Sequence, residues 1–196
     1  MKRPLIILLL SLSAFAQQRE SHPLREHAAV RLGHSLAIVS DLTPAKKPTN
    51  VVIRFCHLGH CDESRVHNLR TNGGADMEAA QIASTGTQPA AANYIALSND
   101  ATAPAATDCA AGASSCTLTG EISTNGVARA QAAYAHTNGT NTITLTYTFT
   151  FTGSQSVQKA GLFNAASNGV MFLEFQFPQR AAQSGDTLQI TWTETI

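Results

Sequence analysis

The chain runs to 196 residues, 43% hydrophobic and 13% charged, and its 13 basic and 13 acidic side chains cancel. That balance excludes a disordered acidic chain, which buries too little apolar surface to fold. It also lacks the clustered lysine and arginine of a nucleic-acid footprint. The charge is nevertheless uneven: after Thr71 only Arg129, Lys159 and Arg180 stand against eight carboxylates.

Residues 1–16 read as an export signal. Lys2 and Arg3 supply the positive start, Leu5 to Leu12 the apolar stretch, and Ala14-Phe15-Ala16 the small-x-small cleavage site. The apolar stretch is far short of the roughly 20 residues a membrane-spanning helix requires. Cleavage after Ala16 leaves Gln17 as the mature N-terminus and 180 residues, the 196 of the chain less those 16. That length suits one domain plus an extension, or one large sandwich. No later segment is apolar enough to span a bilayer, so the sequence predicts a secreted or cell-surface protein with no membrane span.

Residues 17–50 are the least regular part, with Pro23, Pro44 and Pro48, the Lys46-Lys47 pair and one apolar stretch, Ser35 to Val39. They read as an arm with a single strand that packs on a domain edge or reaches a neighbour, where it could add to an exposed sheet edge. A disordered tether is the alternative.

Residues 51–196 read as one β-rich domain. Val51 to Cys56 and Arg65 to Leu69 form the arms of a hairpin around Leu58 to Glu63. Ala75 to Ala83 is the one persuasive helix, following Asn72-Gly73-Gly74 and placing Met77, Ala80, Ile82 and Ala83 near one face. Thr85 to Ala92 is a loop, Tyr94 to Leu97 a short strand, and Ser98 to Ser115 a long loop of Ala, Thr, Asp, Pro and Cys. Gly126 to His136 is rich in helix-forming alanine, but its alternation and the Asn138-Gly139 hairpin turn that it feeds assign it to a strand. Asn141 to Phe151 is the clearest strand. There Ile143, Leu145, Tyr147, Phe149 and Phe151 alternate with a rail of threonines, giving one apolar and one hydroxylated face. Val157 to Phe163, Val170 to Phe177 and Thr187 to Thr195 complete the set. Strands at this spacing predict an all-β fold with one short helix. The architecture expected is an antiparallel β-sandwich, jelly-roll or immunoglobulin-like, whose outer faces meet other macromolecules.

Four cysteines in an exported chain suggest disulfides. Sequence leaves three pairings open. The local ones, Cys56 with Cys61 and Cys109 with Cys116, are favoured. The first pair flanks a turn at Leu58-Gly59, and the second closes a small loop rich in Ala, Gly and Ser. Loops this short remove about 2–3 kcal/mol of chain entropy each, enough to pin a turn.

Cys56-His57-Leu58-Gly59-His60-Cys61, with Asp62 and His67 nearby, is the one cluster of metal-ligating residue types, since thiolates and imidazoles bind zinc in tetrahedral sets. Neighbours on a strand point to opposite faces, so a disulfide across the hairpin with two exposed histidines is the simpler expectation. A metal-binding protein using His57, His60 and His67 is a weaker reading. The serines sit in no nucleophile elbow, and any glycosidase pair would have to come from Asp100, Asp108, Glu121, Glu174 and Asp186. Trp192 shares a face with Ile190 and reads as core rather than as a sugar platform. Tyr94, Tyr134 and Tyr147 fall on different strands. No catalytic, cofactor-binding or metal residues are predicted, and no enzymatic activity.

Several segments together resemble a signature of uncharacterised tail-associated proteins of tailed phages and prophages. They are Asn93 to Ser98, Ala101 to Asp108, Gly120-Glu121-Ile122, Gly126 to Ala130, Tyr134 to Thr137, Lys159 to Ala165 and Ser184 to Thr193. His67-Asn68-Leu69 with Thr71-Asn72 resembles the family's lead-in to its short helix, so the likeness covers roughly Val66 to Ile196. The motifs are specific as a set and weak singly. The resemblance implies a β-rich, tail-like structural module that works through protein contacts and has no catalytic residues to transfer. This chain departs from the family in its export signal and its four cysteines, both suited to a relative used outside the cell. The expected partners are proteins, either further copies of itself or surface and tail-like components. A secreted carbohydrate-binding module, with a surface glycan as partner, is the alternative.

Overall fold

A computed structural model describes residues 28–32, 35–39 and 50–195, with side chains from 51 onward. Residues 1–16, expected to be an export signal, lie outside the described residues. The chain divides into two compact units, Met1–Lys46 and Lys47–Ile196. In the first, β1 (Ala28–Leu32) and β2 (Ser35–Val39) form an antiparallel hairpin with Ala28 opposite Val39 and Leu32 opposite Ser35. The strand expected at Ser35–Val39 is therefore present. Its partner β1 lies in chain whose composition gives no sign of a strand.

The second unit is an antiparallel β-sandwich of two five-stranded sheets. In spatial order the front sheet holds β4 (His60–His67), β3 (Asn50–His57), β12 (Thr187–Thr195), β9 (Thr142–Thr150) and β8 (Ala133–His136). The back sheet holds β5 (Leu69–Arg70), β11 (Met171–Ala182), β10 (Gln155–Phe163), β6 (Tyr94–Ser98) and β7 (Ala130–Gln131). Alternation sends Val51, Ile53 and Phe55 of β3, Leu145 and Phe149 of β9, and Leu188, Ile190 and Trp192 of β12 to the inner face. There they bury against Ile95, Leu97, Leu162, Leu173 and Phe175 of the back sheet. Trp192 is fully buried and meets Phe175 of the opposite sheet edge to face, centroids 4.8 Å apart at 81°. Such aromatic pairs add to the area they bury.

The two outer faces differ. On the front sheet Thr187, Thr191, Thr193 and Thr195 of β12 stand opposite Thr150, Thr146, Thr144 and Thr142 of β9. Thr146 Oγ1 donates to Thr191 Oγ1 at 3.3 Å, a cross-strand pair of the kind that stabilises sheets. This is the predicted hydroxylated face. The back sheet has no such face, because Ala96, Phe163 and Met171 on its outer side pack beneath Cys109 and Leu118 of the long 99–129 segment. That segment is a strap, not a free loop, and the expectation of two open outer faces holds for one sheet only.

Three elements depart from the predicted ones. Gly126–His136 is not one strand: β7 pairs with β6 in the back sheet, whereas β8 pairs with β9 in the front. The chain changes sheets at buried Ala132, whose N–H donates to the Asn93 carbonyl at 2.7 Å. Helix α1 runs Asn72–Ala83, earlier than predicted, because Thr71 caps it by accepting from the Gly74 N–H at 2.9 Å. Its buried side is Gly73, Gly74 and Met77, while Ile82 is 78% exposed. A Cβ on Gly74 would sit 2.1 Å from the Phe172 carbonyl oxygen, so glycine is what lets the helix rest directly on β11. The first hairpin turns on Leu58 and Gly59 alone, with φ of 47° and 81°. That is the double left-handed geometry of a two-residue turn, and it makes His60 to Glu63 strand rather than loop.

Trp192→Ala should lower the unfolding free energy by about 3–5 kcal/mol, while Thr191→Ala, on the other face of the same strand, should cost less than about 1 kcal/mol. Urea unfolding followed by far-ultraviolet circular dichroism checks both. Equal losses would mean that the inner and outer faces of β12 have been misassigned.

Candidate functional site

Cys56 and Cys61 face each other across β3 and β4 and are joined, with Cα atoms 4.0 Å apart; Cys109 and Cys116 are joined within the strap. These are the two local pairings. Their sulfurs are therefore committed, and among the described residues no group of three or more His, Cys, Asp or Glu is placed to hold a metal ion. Of the hairpin histidines, His60 is exposed as predicted, but His57 is not free. Its Nδ1 lies 2.8 Å from Asp186 Oδ2, and Asp186 also accepts from the Gln183 N–H at 2.8 Å. Burial by itself would raise the Asp186 carboxyl. The His57 ring and the Gln183 N–H more than offset that and hold it below the ordinary carboxylate range. The contact fastens the end of β3 to the turn that leads into β12.

The remaining candidate acids are engaged under or along the strap. Glu121 receives Arg129 Nε at 2.9 Å and Nη2 at 2.7 Å, a two-pronged pair. Arg129 Nη1 also donates to the carbonyls of Ala165 and Asn168 at 3.1 and 2.6 Å, and the guanidinium lies 3.6 Å from the Phe163 ring centroid. Lys159, buried on β10, reaches Asp100 Oδ2 at 2.5 Å, and this bond is the main reason the Asp100 carboxyl lies below its ordinary range. Glu174, buried on β11, accepts from the Ala105 N–H at 3.1 Å. Gln158 and Gln176 donate to the carbonyls of Asn99 and Ala101, each at 2.7 Å. Desolvation pushes the Glu174 carboxyl up to about 8, helped by its hydrogen bond to the Asp108 carboxyl and by that group's charge. A glycosidase pair must flank a gap that admits water or a sugar, and the contact between these two carboxyls closes it.

A cleft of about 750 Å³ opens at one end of the sandwich, and no residue pattern announces it. Met77 and Ile82 of α1, Tyr134 of β8, Leu145 of β9, Leu162 of β10 and Phe172 of β11 form its apolar wall. Its polar groups are Arg70, paired with Glu78, and Glu194, which accepts from Asn68 Nδ2 at 2.7 Å. Ile82 and Tyr134 are two of the four large apolar side chains exposed among the described residues, and a third, Leu69, adjoins Arg70. The sequence hid this site because its lining comes from α1 and six strands spread along the chain. Trp192 lies in the core, as expected, leaving Tyr134 as an exposed ring at the cleft.

Compared with protein-family models, curated proteins and solved structures, the chain matches none. No helix among the described residues is long and apolar enough to cross a membrane.

The Glu174 contact gives the fold a pH dependence of known sign. Its folded value of about 8 lies above the ordinary 4.5. The stability held by the neutral carboxyl is therefore complete at acidic pH and is lost as pH rises through that interval. Wild-type protein should be less stable at pH 9 than at pH 5, by on the order of 2–4 kcal/mol from this group at about 1.4 kcal/mol per pKa unit. Glu174→Gln should flatten the difference in urea midpoints; an unchanged pH slope would rule Glu174 out as its source.

Proposed function

We propose that this chain is an exported, non-enzymatic structural module that works through protein contacts, by self-assembly or surface attachment, in the manner of phage-tail components. The observation that carries the reading is how its side chains are divided. Glu121, Arg129, Lys159, Asn164 and Asp186 all belong to the tail-protein signature segments, and all are engaged within the fold. Of the four large apolar side chains left exposed among the described residues, Ile82 and Tyr134 line one cleft, and exposed apolar patches of this kind mark interaction surfaces. The two disulfides fit an oxidising compartment outside the cytoplasm, in keeping with the export signal at residues 1–16.

A secreted carbohydrate-binding module is the second reading, favoured by Tyr134, which stands 62% exposed at the cleft. A ring so placed can stack on a sugar.

Light scattering after size exclusion separates the two readings. Mature protein, from Gln17 onward, should elute as an oligomer at tens of micromolar and should show no saturable binding on a glycan array. A monomer that binds a defined glycan, and loses at least tenfold in affinity on Tyr134→Ala, would reverse the order of the two.

A further inference from the structure

The cleft sits beside a sheet edge that lacks the usual protection. β4, at one side of the front sheet, carries Asp62, Glu63 and Arg65 along its length, the charges with which proteins blunt an exposed edge. β8, at the other side, is Ala133-Tyr134-Ala135-His136, fully exposed and without a charged carboxylate, lysine, arginine or proline. An open, uncharged edge is a template for a further strand, and here it runs alongside an apolar hollow into which that strand's side chains could fit.

The first unit is the complementary fragment. β1 and β2 hold ten residues, five in each strand, with a single charged one, Arg31. A two-stranded ribbon on its own is at best marginally stable in water and needs a third strand or an apolar surface. Residues 17–49 carry five basic residues against three acidic ones, a surplus of two positive charges by subtraction, and the cleft is lined by two carboxylates, Glu78 and Glu194, against Arg70. The sandwich begins at Asn50, opposite Thr193 and His67 and so beside Glu194 and Asn68 at the cleft. Residues 40–49 link that point to β2 and can span at most about 33 Å when extended.

We propose that the cleft receives the β1–β2 hairpin of a second copy, which extends the front sheet at β8. Because the arm is rooted at the cleft end, two copies can exchange hairpins reciprocally about a two-fold axis and close as a dimer. The proposal rests on the self-assembly reading above and names the contact through which assembly occurs.

Complementation between two full-length mature variants tests it. The donor variant is Leu36→Asp with Ile38→Asp. The acceptor variant is Ile82→Asp with Tyr134→Asp, both exposed positions at which the sandwich should keep its circular-dichroism spectrum and melting temperature. Wild type should scatter as a dimer, each variant alone as a monomer, and a 1:1 mixture should regain dimer, since one partner keeps a hairpin and the other a cleft. A wild-type oligomer unchanged in both variants would overturn the contact and leave assembly standing. A wild type that stays monomeric at hundreds of micromolar would overturn both. Monomeric variants that fail to associate on mixing would overturn the exchange between copies.

Discussion

A guanidinium sealed inside the protein organises the back of the molecule. Arg129 is 6% exposed, yet its Nε, Nη1 and Nη2 all find acceptors and its flat face is covered by Phe163. Its necessity follows from a packing constraint. The back sheet buries side chains on both sides, so one cover comes from the front sheet and a second must come from somewhere else. The 99–129 strap supplies it with almost no regular secondary structure of its own. A segment that cannot hold itself by a strand ladder has to be held by side chains, and Arg129, Lys159, Glu174, Gln158 and Gln176 provide the ties. In that low-dielectric setting a complete network is strong, and one with a member missing is costly, because the abandoned charge stays buried.

The same constraint ties together segments that look separate in the sequence. Gly120-Glu121-Ile122 and Gly126 to Ala130 lie close together and Lys159 to Ala165 lies further along the chain, and all converge on the strap and the strands beneath it. Glu121 meets Arg129, Arg129 meets Phe163 and the Ala165 carbonyl, and Asn164 Oδ1 accepts from the Val170 N–H to close the β10–β11 turn. A Cβ on Gly161 would lie 2.9 Å from the Phe163 ring and 3.0 Å from Met171 Sδ, so those side chains would have to shift.

Alternation made much of the fold legible. Leu145 and Phe149 on one side of β9 and threonines on the other fixed a strand and its inward face, Trp192 read as core, and the spacing of the cysteines pointed to two local bridges. What stayed hidden depends on partners remote in sequence. The sheet change at Ala132 leaves the two-residue period unbroken, so nothing in Gly126–His136 marks it. Helix α1 was placed by its helix-forming residues, whereas its docking surface is the pair Gly73 and Gly74, which a hydrophobic pattern scores as blank. The cleft could not be read at all, since it exists only once a helix and six strands have met. His57 looked solvated because its partner, Asp186, is 129 positions away.

Strand β12 lies between β3 and β9 and pairs with both along most of its length. The front sheet thus has the last strand of the sandwich as its centre, between the first strand and β9. Until residues 187–195 are available, the β3–β4 ribbon and the β8–β9 ribbon have no common neighbour, and half of the core has no wall. Such a chain cannot settle piecemeal from its N-terminal side; pairing this non-local is slow to nucleate.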